Sequence, residues 1–201
     1  SNGTVAPGVS AGKLTGTSSY TQAATGKLEI ELYGAASGQF DELAVTRSAA
    51  LGGELDVTLG TTAGNQFVPQ LGDTFTFLTT TTGASGNFAS AHLPVLTSGH
   101  MWQIRYAASS ATLAVTLAGD YNDDGIVDAA DYVVWRKLNG LSFNPRADGD
   151  NNGVINANDY AIWRSKFGTS SGASTASFAT NVPEPSIVAL TEGILAVAGV
   201  V

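Results

Sequence analysis

The sequence has no cysteine. That absence excludes disulfides, thiolate metal sites and cysteine nucleophiles together. Basic residues are few: nine Lys and Arg stand against seventeen Asp and Glu, for a formal net charge of −8 and a pI near 4.5. No nucleic-acid partner is expected of such a chain, because that partner calls for a basic face. Histidine is nearly missing. His92 and His100 lie in a loop-like stretch without metal-ligand neighbours at useful spacing, so both read as surface residues. Residues 1–118 carry no helical hydrophobic period of useful length. No Gly-rich phosphate loop, nucleophile elbow or zinc motif occurs anywhere. Glu29 with Glu31, and Glu54 with Asp56, pair as glycosidase carboxylates can. They alternate with core residues, however, and read more simply as solvated side chains. No catalytic residues are assigned.

What is present instead is glycine, 24 residues of it, with uncharged polar residues and only 13% charged ones. That mixture favours extended, turn-rich structure. Leu28, Ile30 and Leu32 alternate with Lys27, Glu29 and Glu31, the period of two of a half-buried strand. The alternation returns in ELDVTL (Leu55, Val57, Leu59), DTFTFL (Phe75, Phe77), WQIRY (Trp102, Ile104, Tyr106) and TLAVTL (Leu113, Val115, Leu117). Gly-rich breaks separate these runs. Residues 1–118 are therefore expected to be all β, and their spacing leaves two architectures open, a solenoid and a sandwich.

The acidity is concentrated further on. DYNDDGIVDAADYVVWRKLNG, starting at Asp120, and DGDNNGVINANDYAIWRSKFG, starting at Asp148, repeat one pattern of acidic loop and Tyr-x-x-Trp-Arg helix. The first loop matches the EF-hand calcium loop at positions one, three and five (Asp120, Asn122, Asp124), with Gly125 at the sharp turn. Ile126 offers a backbone carbonyl at seven, Asp128 stands at nine and Asp131 closes the loop at twelve. In the second copy these places fall on Asp148, Asp150, Asn152, Gly153, Val154, Asn156 and Asp159. Alternate residues of a tightly wound loop point inward, so oxygens at one, three and five converge. An all-oxygen donor set of six or seven suits Ca²⁺. Two ions are expected, bound more tightly at the first loop because it offers more carboxylates. Tyr132 with Trp135, and Tyr160 with Trp163, share helix faces, either as the packed core of the pair or as a partner platform. Gly140 and Gly168 suit the helix C-termini. A segment of about 50 residues is near the limit of what a core alone can hold, so bound ions are expected to contribute to its folding.

Three resemblances bear on these readings. VAPGVSAGKLTGTSSYTQAATGKLEIELYG with FDELAVTRSAALGGELDVTL resembles the last rungs of β-helix passengers in autotransporter-like and adhesin-like bacterial surface proteins. The tandem loop-helix units, residues 119–168, resemble a type I dockerin. That family binds calcium through the loop positions named above and, in its best-known setting, docks cellulose-degrading enzymes onto cohesin modules of a scaffold. Ala129-Ala130 and Ala157-Asn158 replace the family's usual Ser-Thr pair before the closing Asp, and VDAADYVVWRK is nearer to dockerin-like modules of planctomycete surface proteins. Val182-Pro183-Glu184-Pro185 and the apolar run after it resemble a PEP-CTERM sorting signal, which a membrane sorting enzyme of Gram-negative bacteria recognises. Glu192 interrupts that run and no Arg cluster follows. As a helix, Ser186 to Val201 would span about 24 Å, short of a bilayer's roughly 30 Å, which suggests a truncated signal.

The expected organisation is a β-rich region (1–118), by resemblance the C-terminal part of a β-helix, then a small α dockerin-like domain (119–168). A Ser/Thr/Gly linker (169–181) and a sorting segment (182–201) follow. The opening SNGTVAPG has neither initiator Met nor signal peptide, so an upstream segment is expected. The resemblances imply a non-catalytic, exported protein of the cell surface, outer membrane or extracellular space. Its partners would be a cohesin-like or other surface protein, the sorting enzyme and, for the β region, glycans. The alternative is the accessory C-terminal region of a polysaccharide-degrading enzyme whose catalytic domain would lie upstream of residue 1.

Overall fold

The computed structural model describes residues 1–97, 99–141 and 146–172. Three short strands open the chain: β1 (Thr4–Val5), β2 (Lys13–Gly16) and β3 (Tyr20–Thr21). The same order of three returns as β4 (Lys27–Leu32), β5 (Glu42–Val45) and β6 (Ala49–Leu51). A third pass begins with β7 (Glu54–Leu59). It is interrupted by a small hairpin of β8 (Thr61–Thr62) and β9 (Asn65–Gln66), then resumes with β10 (Thr74–Thr80) and β11 (Ala84–Gly86). After β12 (Ser90–His92), the antiparallel pair β13 (His100–Ala107) and β14 (Ser110–Leu117) ends the β region.

Each strand pairs in parallel with its counterpart one pass earlier. β1, β4, β7 and β12 form one sheet, and β3, β6 and β11 another. β2, β5 and β10 form a third, extended antiparallel by β14 and β13. The chain is thus mainly β with parallel sheets. In-register pairing stacks like on like: Leu28 lies opposite Leu55, Ile30 opposite Val57 and Leu32 opposite Leu59. Side chains from all three sheets meet in one core that includes Leu43, Ala49, Phe75, Phe77 and Trp102. Each buried leucine or phenylalanine among them contributes about 1.5–3 kcal/mol relative to exposure. The passes approach closely at one corner. At Gly53 (φ +56°) a Cβ would lie 2.1 Å from the Gly26 carbonyl oxygen, so a side chain there would force the two passes apart.

The alternating runs of the sequence all lie on strands, with one local departure. Register shifts between Thr76 and Leu78 where β10 meets β14, and the bulge buries the adjacent Phe77 and Leu78 together. His92 lies on β12 and His100 begins β13, so neither occupies the loop the sequence suggests. His92 is exposed, with Nδ1 3.3 Å from Asp56 Oδ1. Lys27 Nζ reaches Asp56 at 2.8 Å and Glu54 at 3.3 Å.

The β13–β14 pair is buried on both faces. Trp102, Ile104, Leu113 and Val115 fill the first core, while Met101, Gln103, Ala114 and Thr116 are buried on the other side. The acidic repeat packs there. Met101 and Ala118 join Tyr121, Val127, Ala147, Ile155 and Trp163 in a second core. Gln103 Nε2 donates to the carbonyls of Asp120 (3.2 Å) and Arg146 (3.3 Å). Arg105 forms a two-pronged ion pair with Asp123, at 2.5 and 2.7 Å. Among the described residues, no helix is long and apolar enough to cross a membrane. The expected sorting segment, with Pro183-Glu184-Pro185, lies outside the described residues.

Candidate metal centre

The two acidic loops wind in the same way because their side chains bond their own backbones. Gly125 (φ +87°) and Gly153 (φ +83°) make the sharp turn in the left-handed region. Asp123 (φ +64°) and Asn151 (φ +56°), two residues earlier, share that region, which short polar residues tolerate best after glycine. Asp120 accepts from the N–H groups of Asp124 (3.1 Å) and Gly125 (2.9 Å). Asp148 does the same with Asn152 (3.0 Å) and Gly153 (2.8 Å). The closing residue ties each loop's start to its end. Asp131 accepts from Asn122 N–H (2.9 Å) and Asp128 N–H (2.8 Å), and Asp159 from Gly149 N–H (2.7 Å) and Asn156 N–H (2.8 Å).

Each loop runs into a helix, α1 (Ala129–Leu138) or α2 (Ala157–Lys166). Asp128 and Asn156 are the N-caps, accepting from Ala130 N–H and Asn158 N–H at 2.7 Å. The closing aspartates stand at the third helical position and complete capping boxes. Loop closure and helix initiation are therefore one set of hydrogen bonds. Gly140 and Gly168 follow the helices with positive φ, as the sequence suggests.

The helices pack through their aromatic faces. Tyr132 lies 5.9 Å from Tyr160 and 5.2 Å from Trp163, and Trp135 lies 5.1 Å from Tyr160, between ring centroids. The shared faces form the contact between the helices. Each indole also reaches across: Trp135 Nε1 donates to Asn156 O (2.9 Å) and Trp163 Nε1 to Asp128 O (2.7 Å). The backbone repeats the exchange, Gly140 N–H bonding Ile155 O (3.0 Å) and Gly168 N–H bonding Val127 O (2.8 Å). Beyond α2 the chain turns back along the first loop. Val127 N–H bonds Thr169 O, and Ser171 N–H bonds Gly125 O, both at 2.8 Å. The expected linker 169–181 therefore starts with paired residues, and its remainder from 173 lies outside the described ones.

Asp148, Asp150 and Asp159 bring carboxylate oxygens within 4.8 Å of one another, a grouping that could hold a metal ion. Asp148 and Asp159 are buried and Asp150 is exposed. The donors are all oxygen, so the site fits a hard cation. Burial pushes the carboxyls of Asp148 and Asp159 above their ordinary range, and their negative neighbours push further. In the first loop, Asp120 and Asp131 are equally buried. Burial raises both, Asp131 to about 6. Such groups resist ionisation unless a positive charge offsets them.

The expected ligands are not all placed alike. Among the described residues, the trio of carboxylates converges in the second loop, although the first has the larger formal count. The first has Asn122 at position three, where Nδ2 donates to Asp124 Oδ2 (2.7 Å). Asp128 and Asn156, at position nine, each have an oxygen engaged as a helix cap. Ile126 and Val154 turn their side chains to solvent, and Val154 O accepts from Asn156 Nδ2 (3.2 Å). The calcium-loop pattern by itself misses this capping role, whose signal is the Asp-x-x-Asp and Asn-x-x-Asp spacing at each helix start. Two contributors had no motif to announce them: Arg105, which grips Asp123 from β13, and Tyr121, whose Oη donates to Asp159 O at 2.7 Å. The second left a trace as the Tyr121-for-Gly149 mismatch in the repeat. No protein-family model matches this chain, and no curated protein matches it.

Proposed function

We propose that residues 119–168 are a dockerin-like module that binds two calcium ions through the twin loops. The observation carrying this reading is the doubled loop, in which buried aspartates at positions one and twelve flank an all-oxygen set. Asp120, Asn122, Asp124, Asp131 and the Ile126 carbonyl would hold the first ion, with Asp128 beside it. Asp148, Asp150, Asn152, Asp159 and the Val154 carbonyl would hold the second, with Asn156 beside it. A bound calcium ion supplies the positive charge that buried carboxylates lack. The three parallel sheets, stacked pass upon pass, favour a β-helix end over a sandwich for residues 1–118.

On this reading the chain belongs to a non-catalytic, exported surface or extracellular protein of a Gram-negative-type bacterium. The module docks a cohesin-like or other surface protein, and the Pro183-Glu184-Pro185 segment addresses a membrane sorting enzyme. The second reading is an accessory region of a polysaccharide-degrading enzyme. It is favoured by a groove running across the first three passes that Glu29, Glu31, Asp41 and Asp56 line, as a glycan-facing surface would be.

Calorimetric titration of the full chain with calcium is expected to give two ions bound per chain. Thermal melting in a chelator is expected to occur at lower temperature than in calcium. Absence of binding heat, with an unchanged transition in the chelator, would sink the calcium reading.

A further inference from the structure

We infer that Tyr121 is a positioning residue for the second metal loop, and that through it the filling of either loop raises the affinity of the other. This rests on the calcium reading above. Tyr121 stands at position two of the first loop, between Asp120 and Asn122, and is fully buried. Its Oη donates to the backbone carbonyl of Asp159, the residue that closes the second loop. The equivalent place in the second loop is Gly149, and contact explains the glycine: a Cβ there would meet Tyr121 Oη at 2.6 Å. Gly149 N–H in turn donates to Asp159 Oδ1 at 2.7 Å. Tyr121 therefore touches the second loop at both its second and its twelfth positions.

The next residue completes the link. Asn122 N–H donates to Asp131 Oδ1 at 2.9 Å, so it holds the closing aspartate of the first loop. One dipeptide thus fixes the closing residues of both loops, Asn122 through its backbone and Tyr121 through its side chain. Ordering the first loop around a cation orders this dipeptide, and with it Asp159. The Trp135 and Trp163 indoles add reciprocal ties at position nine of the opposite loops. Residues ordered by the first ion need not be ordered again by the second, and such coupling acts equally in both directions.

The test is a calcium titration of the full chain against a competing chromophoric chelator, with calcium alone as the probe. The wild-type chain is expected to take its second ion about tenfold more tightly than independent sites would. Tyr121→Phe removes the hydroxyl and keeps the ring. It is expected to leave the first binding step nearly unchanged and to abolish most of the tenfold gain at the second. Trp135→Phe, which keeps the aromatic packing and removes the N–H, should reduce the gain partly. A purely structural role for Tyr121 would weaken both steps alike, and that result would overturn the inference. So would two independent sites in the wild-type chain, which would leave the calcium reading standing. A chain that takes up no calcium overturns both.

Discussion

Asp131 has no solvent exposure, and its carboxyl titrates near 6 because burial penalises its charge. The folded chain therefore retains a proton between about pH 4 and pH 6 that the unfolded chain releases. By linkage, the stability this group provides is complete below its unfolded value near 3.8 and is lost as pH rises through about 6. Asp120, Asp148 and Asp159 shift in the same direction for the same leading cause. Urea denaturation in chelator is expected to show stability falling from pH 4 to pH 7. In calcium the fall should vanish or reverse, because the cation competes with those protons. A flat profile in the chelator would remove burial as the controlling cause. At this scale the loop glycines were readable from spacing, since only one turn geometry places oxygens at one, three and five together. The Tyr121–Gly149 contact was not, because it joins two loops whose mutual distance no local pattern encodes.

The helices α1 and α2 owe their starting points to capping boxes that are also the ends of the acidic loops. Asp128 caps α1 through its side chain, and that bond requires no metal. Asp128→Ala is expected to cost about 1 kcal/mol in chemical denaturation, in chelator as well as in calcium. An effect seen only in calcium would mean that Asp128 serves the ion and not the helix. Among the strands, β4 and β7 were legible because half-burial writes the period of two into six residues. β1 and β3 were not, since two residues hold no period and their place is set by the strands they pair with. The bulge in β10 is a similar case. Phe77 and Leu78 are both buried because β14 lies where it does, and alternation cannot announce that.

Over the whole molecule, the acidic repeat and the β region share a core. Met101 on β13 is buried among Tyr121, Val127 and Trp163 of the repeat, and Gln103 satisfies carbonyls at Asp120 and Arg146. The two parts are therefore expected to unfold in one transition in calcium, followed by strand circular dichroism and by tryptophan fluorescence. Met101→Ala is expected to lower that transition by about 2–5 kcal/mol, through lost burial and the cavity left behind. Two separate transitions in the unsubstituted chain would show that the shared core carries little energy. Sequence alone determined the strand-rich first region and the doubled loop with its oxygen-bearing side chains, because alternation and loop spacing are local constraints that each segment obeys by itself. Only the tertiary structure decided that the sheets are parallel, that the carboxylate trio converges in the second loop, and that the repeat lies against the outer face of β13 and β14. Those outcomes depend on which distant surfaces bury one another, and the free energy of that burial belongs to the pair of surfaces and to neither stretch of chain alone.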